Sequence, residues 1–385
     1  MAGPKRPKPE GATPHRGQVR RVLDRAVHSV VNGLMYARDG SARPSMGSVP
    51  KELVFQRGKL SLFRVRPIAD EQYDLGHETH TFARARHAVP VLVIPPLMVR
   101  TYVYDLRPEH SMLRTLRNAG FDTFFVDFGV PDRADEGVRL DDYVVDWVPA
   151  CVDAALAASG ARELSLVGYC MGGIFALLHV GTWRDQRVRS LVTIGAPVNF
   201  DKMGVITVAA RLGVPLVDAV LDRLGNVPGA ASSLGFKIMS GTRTLTKYGD
   251  LLFNLYDEEY VRGFDTINTW VNDLIPYPRE AFKQMVKEVV YGNKMLANEL
   301  VFHDEREGID RPCDLKAIAC PLLAFAGKSD NVATPGSTRE ILELVGSTDK
   351  TLLPVPGGHV GVVGGSSAPK AVWGPMVEWL AARSD

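Results

Sequence analysis

The sequence predicts an α/β fold in which a mostly parallel sheet is covered by helices on both faces and interrupted by a helical lid insertion. Three observations predict it. Short continuous apolar runs such as PVLVIPP (90–96) and PLLAFAG (321–327) recur along the chain, the pattern of strands buried on both faces. Amphipathic stretches lie between them, so strand and helix alternate in units of roughly thirty residues, the rhythm of parallel-strand crossovers. That rhythm stops after Phe200 and resumes at Pro321. Residues 201–312 between them are mostly helical by pattern, with turn signals at GNVPGA (225–230) and IPYPRE (275–280).

Taken in order, residues 1–21 carry six basic side chains (Lys5, Arg6, Lys8, Arg16, Arg20, Arg21) against Glu10 alone, with four prolines. Such a segment buries too little apolar surface to order itself and reads as a solvated tail. Residues 18–38 have a helical spacing of Val22, Val27, Val30, Val31 and Leu34. KELVFQRGKLSLFRVR (51–66) alternates around Arg57-Gly58 and reads as a hairpin with Gly58 in the turn. PVLVIPP is a buried strand stopped by two prolines; a helix near 110–119 and the strand FDTFFVDFG (121–129) follow. DDYVVDWVPACVDAALAAS (141–159) puts Tyr143, Val144, Val148, Cys151, Val152 and Ala155 on one helical face. Asp141 and Asp142 stand at its N-terminal turn, where the helix dipole favours them. Then come the strand ELSLVG (163–168), a helix from 171, and the strand VRSLVTIGA (188–196). After the insertion follow PLLAFAG, a helix near 337–345, the strand TLLPVPG (351–357) and an amphipathic helix over 368–383. The expected organisation is a basic tail and leading helix (1–45), a first core part (46–200), the insertion (201–312) and a second core part (313–385).

The composition narrows the function. With 385 residues, 45% of them hydrophobic, the chain is long enough for a large core. Lys and Arg number 45 against 44 Asp and Glu, so no global field recruits nucleic acid or an anionic membrane. The four cysteines, Cys151, Cys170, Cys313 and Cys320, are too few for a disulfide framework and lack zinc-site spacing. The opening residues contain no apolar stretch of a signal peptide, and no run is long enough to span a bilayer. A cytoplasmic protein is expected. With no P-loop, no G-x-G-x-x-G after a first strand and no HExxH, neither a metal nor a nucleotide cofactor is implied.

The strongest chemical signal is Gly168-Tyr169-Cys170-Met171-Gly172-Gly173, set where a strand meets a helix. This is the nucleophile elbow of the α/β-hydrolase fold with Cys in the nucleophile position. So sharp a turn demands small neighbours two positions away, and Gly168, Gly172 and Gly173 meet that demand. The backbone N–H of Met171 then faces the developing oxyanion. In this fold an acid and a histidine follow the nucleophile in that order. Of the nine histidines, only His359 lies on a glycine-flanked loop just after a late strand. Asp330 ends the preceding strand, where it would hold the imidazole, although an Asp before Asn331 is also a common turn former. The second oxyanion donor comes from the loop after PVLVIPP, with the N–H of Met98 the candidate. Cys151, Cys313 and Cys320 read as structural.

At this point a family resemblance emerges. From residue 88 to 200, and more patchily from 50 to 385, the chain resembles the polyhydroxyalkanoate synthases, especially the short catalytic subunits that work with a second protein. The segments that carry it include VIPPLMVRTYVYDLRP (93–108), FDTFFVDFGVPDRADEGVRLDDYV (121–144), GYCMGG (168–173), GAPVNF (195–200) and LVGSTDKTLLPVPGGHVGV (344–362). Position by position, the family's nucleophile falls on Cys170, its acid on Asp330 and its histidine on His359. The sequence departs from the family pattern at Val99, at Phe128, after Trp270 and over Asn331–Pro335. The resemblance implies an acyltransferase that moves 3-hydroxyacyl groups from coenzyme A thioesters onto the cysteine and then to a hydroxyl acceptor, with Asp330 and His359 sharing removal of the hydroxyl proton. The product would be a polyester, coenzyme A entering as substrate and no cofactor being needed. It also implies a polyester granule as a site of work, and a second synthase subunit or another copy of the chain as protein partner. A lipase, esterase or thioesterase on the same scaffold, with water as acceptor, is the alternative.

Overall fold

The apolar runs become the strands of one eight-stranded sheet. The computed structural model describes residues 25–31, 46–66, 72–75, 78–81, 87–203, 217–239, 249 and 251–384. The strands are β1 (Lys51–Arg57), β2 (Leu60–Val65), β3 (Val91–Ile94), β4 (Thr123–Asp127), β5 (Leu164–Tyr169), β6 (Val188–Ile194), β7 (Leu322–Gly327) and β8 (Lys350–Val355). Their spatial order is β1-β2-β4-β3-β5-β6-β7-β8. The expected hairpin of β1 and β2 turns through Gly58 at φ +59°, a conformation glycine adopts without steric cost. β2 pairs antiparallel with β4, and every later pairing is parallel.

Strands β3, β5 and β7 are buried along their whole length, which is why they lack polar alternation. Each feeds two cores at once. Leu92 and Ile94 of β3 join the cluster on one face of the sheet, and Val91 and Val93 the cluster on the other. The helices that cover these faces include α1 (Met112–Asn118), α2 (Val148–Ser159) and α3 (Met171–Trp183). The six residues expected to form one apolar face over 141–159 are all buried.

That helix is not uniform, and neither is the last one. Asp142–Trp147 is wound as a π-turn ahead of α2, and Pro369–Trp373 as another ahead of the helix Gly374–Ala381. Each precedes a proline, Pro149 or Pro375, that cannot donate a helical hydrogen bond and crowds an earlier carbonyl. A wider turn accommodates both defects.

The chain divides into two compact units, residues 1–43 with 242–265, and residues 44–241 with 266–385. In the first, residues 25–31 are helical, with Val27, Val30 and Val31 exposed, and the Arg25 guanidinium lies over the Tyr256 ring. Val22 and Leu34 of the expected helix lie outside the described residues. In the second unit, the helix α4 (Gly229–Met239) fits the helical reading of the insertion. Two later helices of the insertion, α5 (Glu258–Asn272) and α6 (Arg279–Gln284), fit it as well. A hairpin of Val301–Asp304 and Ile309–Pro312 does not fit it. The Asp304 carboxylate forms the hairpin by accepting from the N–H groups of Arg306 and Glu307 and from Arg311 Nε, while Gly308 takes the turn at φ +67°.

The carboxyl ends of β3, β5, β7 and β8 emerge at the same edge of the parallel sheet. Ligands bind at such edges in α/β folds, and all the candidate site residues follow these four strands.

Candidate active site

The elbow is tight for a reason that can be read atom by atom. Cys170 follows β5 at φ +52° and ψ −120°, a strained conformation for a side chain with a Cβ, and its N–H donates to the Ile194 carbonyl at 2.8 Å. A methyl group on Gly168 would overlap the Gly172 carbonyl, and one on Gly172 would overlap the Ile94 carbonyl. On Gly173 it would stand 2.9 Å from Ala196 Cβ. The glycines therefore let β5, α3 and the end of β3 close on one another, leaving the thiol projecting at the sheet edge.

Met171 begins α3, where helical N–H groups have no acceptor within the helix. The Met98 loop lies against the same turn, since a Gly172 Cβ would also stand 2.9 Å from the Pro95 carbonyl carbon. Met98 itself sits at φ +69°, and its carbonyl accepts from the Ile275 N–H at 2.8 Å. A small pocket is lined there by Met98, Thr101, Asp127, Phe128, Tyr143 and Ile275, among others.

His359 and Asp330 meet beside the thiol. His359 Nδ1 lies 2.8 Å from Asp330 Oδ2, both side chains being buried. With Nδ1 engaged by the carboxylate, Nε2 is the nitrogen left for sulfur. The other carboxylate oxygen, Oδ1, accepts from the N–H groups of Val332 and Ala333, each at 2.8 Å. Asp330 is thus both the turn former and the imidazole's partner; the two readings of this residue are compatible. Burial alone disfavours a charged imidazole, but the charges and hydrogen bonds of Cys170 and Asp330 outweigh it and push the His359 pKa up to about 10.

The remaining cysteines differ in kind. Burial pushes the thiols of Cys151 and Cys313 up to about 12 and that of Cys320 up to about 11. Inert thiols of this sort are structural. Two of the other histidines have acidic partners: His179 pairs with Asp185 at 3.1 Å, and His303 with Asp310 at 2.8 Å. Among the described residues, no group of three His, Cys, Asp or Glu is placed to hold a metal ion.

Comparison with known proteins identifies the family. Residues 103–365 match the family model described as alpha/beta hydrolase fold. The poly(3-hydroxyalkanoate) polymerase subunit PhaC of Allochromatium vinosum is 30% identical over 338 residues, covering 88% of this chain and 90% of that protein. Its counterpart in Haloferax mediterranei is 31% identical over 345 residues, covering 89% of this chain but 65% of that longer protein. The chain belongs to the poly(3-hydroxyalkanoate) polymerase family. Among solved structures, a hydrolase from Pseudomonas aeruginosa PA01 superposes with a TM-score of 0.50 at 15% identity, covering 86% of this chain and 98% of that one. That likeness shows the fold alone.

In this polymerase-family chain the structure adds residues that the sequence did not single out. Tyr104 is fully buried; its hydroxyl donates to the Ile94 carbonyl at 2.8 Å and accepts from the Tyr169 N–H at 3.2 Å. One phenol thereby ties the strand ends that carry the Met98 loop and the elbow. Tyr169 continues the chain of contacts, its hydroxyl donating to the His359 carbonyl at 3.1 Å and its ring centroid lying 5.1 Å from the imidazole. Phe236, on α4 of the insertion, stands on the imidazole at 6.2 Å. Only Tyr169, inside GYCMGG, had a local signal that could have found it.

Proposed function

We propose that this chain takes 3-hydroxyacyl groups from coenzyme A thioesters onto Cys170 and passes them to a hydroxyl acceptor, building a poly(3-hydroxyalkanoate). Its family relatives carry the name of that polymer's polymerase. The observation that carries the reading is a cysteine at a strained strand-to-helix turn together with a buried imidazole that a fully hydrogen-bonded carboxylate holds in place. In the first half-reaction the Cys170 thiolate attacks the thioester carbonyl, and the electron pair of the C=O bond moves to oxygen near the N–H groups of Met171 and Met98. Collapse breaks the bond to coenzyme A sulfur, which leaves with the proton of the His359 imidazolium. In the second, the acceptor hydroxyl attacks the Cys170 thioester and gives its proton to His359 Nε2 as the C–S bond breaks. Asp330, with both oxygens already accepting hydrogen bonds, orients the imidazole, and His359 alone is the base.

A thioester on cysteine suits this task, because exchange between two thiols is nearly thermoneutral and leaves an acyl group reactive enough for an alcohol. The insertion, with Phe236 on the imidazole, excludes the competing water. A second subunit or another copy of the chain is the protein partner of this reading, and a polyester granule its site of work. The test is to supply 3-hydroxybutyryl coenzyme A and follow both coenzyme A release and the acyl product. Polymer is expected; free acid that depends on Cys170 would instead make water the acceptor.

A further inference from the structure

A single phenol oxygen stands where the two arms of the candidate oxyanion site part. Ile94 and Gly168 are the last pair in the parallel register of β3 and β5. Pro95 and Pro96 follow Ile94 and have no N–H to carry the ladder further. At that point the Tyr104 hydroxyl takes both strand ends, donating to the Ile94 carbonyl at 2.8 Å and accepting from the Tyr169 N–H at 3.2 Å. Met98 lies four residues past Ile94 and Met171 two past Tyr169, so one oxygen braces the roots of both N–H donors.

Tyr104 also closes the loop that carries Met98. The chain leaves β3 at Ile94, passes Met98 and turns back through Thr101–Tyr104, a single helical turn, to bond its own starting point ten residues earlier. The Ile94 carbonyl that receives this bond lies against the first turn of α3, because a methyl group on Gly172 would overlap it. A hydroxyl can serve both strands because it donates and accepts at one atom. The phenol is 1% exposed, and burial first holds it well above the ordinary tyrosine range, so the oxygen keeps the proton that it donates to Ile94.

We infer that Tyr104 is a positioning residue for acylation: its hydroxyl sets the spacing of the Met98 and Met171 N–H groups, and so their fit to the oxyanion that forms when Cys170 attacks the thioester. This inference rests on the acyl-transfer reading above. The phenol forms no bond to the acyl group and moves no proton in the step. It acts beforehand, holding two donors in place so that they need no rearrangement as the C=O bond opens.

Tyr104→Phe keeps the ring and deletes the brace. Two reactions of Cys170 are compared in the variant and in the parent chain. Single-turnover release of coenzyme A from 3-hydroxybutyryl coenzyme A passes through an oxyanion. Alkylation by iodoacetamide, in which the thiolate displaces iodide, does not, and it is followed on the peptide containing Cys170. The expected result is acylation about 10–10²-fold slower at saturating thioester, with the alkylation rate and its pH dependence unchanged. Unchanged acylation in Tyr104→Phe, with an active parent, would overturn the inference alone. So would a variant that fails to fold, or alkylation that slows in step with acylation, since either makes the phenol a support of the fold or of the thiol and not of the oxyanion site. A parent chain whose Cys170 is alkylated but which releases no coenzyme A would overturn the acyl-transfer reading, and the inference with it.

Discussion

The carboxyl edge of the sheet and the insertion after Phe200 are held by different forces. At the sheet edge, backbone meets backbone without room for a methyl group. Buried phenols bridge strand ends, and Asp330 has every oxygen occupied. The insertion relies on ion pairs at the surface, such as Lys287 with Asp218 at 2.5 Å and Arg279 with Glu136 at 3.1 Å, each worth about 0–1 kcal/mol. It also leaves apolar side chains in solvent, Leu224 at 65% and Leu234 at 60% exposure. The rigid edge holds the candidate site, while the looser insertion supplies single contacts to it through Phe236 and Ile275. A small change at the edge should therefore cost far more than a comparable one in the insertion.

The largest effect expected is on turnover. Cys170→Ala should remove acyl transfer entirely while still folding, because the strained turn is set by the glycines and not by the thiol. Cys170→Ser should retain little polymerisation, since a serine ester is a poorer acyl donor than a thioester. Next comes Asp330→Asn, which disturbs the imidazole's tautomer and should slow coenzyme A release by about 10³–10⁴-fold. A Gly172→Ala substitution sharpens the contrast through stability. Its methyl group would overlap the Ile94 carbonyl, and the shift needed should cost about 1–3 kcal/mol by denaturant unfolding. The same unfolding experiment on Leu224→Ser should show a change within about 0.5 kcal/mol.

The site was legible where its chemistry is local in sequence. Gly168, Cys170, Gly172 and Gly173 lie within six positions, and their spacing is itself the steric requirement of the turn. His359 and Asp330 stand out in the sequence because chain order and strand ends are fixed by the fold; the structure places them 2.8 Å apart. Tyr104 was not legible, because a hydrogen bond to a residue 65 positions away leaves no trace in its own neighbourhood. IPYPRE reads as a turn in the sequence, whereas in the structure its Tyr277 makes an antiparallel bridge with Val227, a pairing across 50 positions that local composition does not show. The π-turns before Pro149 and Pro375 were missed because apolar spacing over a helix barely changes when one turn widens. The hairpin at Val301–Pro312 was missed because charge alternates there, with Val301 and Ile309 exposed, so no buried face announces a strand.

A smaller effect tests the electrostatics of the edge. The folded-state pKa of His359 lies near 10, above its ordinary 6.5, so the imidazolium is bound more tightly in the folded protein. That stabilisation is complete below pH 6.5 and is lost as pH rises through 10. Melting temperature should therefore fall across this window in the parent and fall less in His359→Gln. Equal slopes would mean that the imidazole is not held charged by its neighbours.

The central claim is that Cys170 is the atom that carries the acyl group, and peptide mass mapping tests it most directly. The protein is mixed briefly with 3-hydroxybutyryl coenzyme A, quenched in acid and digested. The account predicts an acyl adduct on the peptide containing Cys170 and none on those containing Cys151, Cys313 or Cys320. Coenzyme A release with the adduct on another residue, or with release persisting in Cys170→Ala, would contradict it.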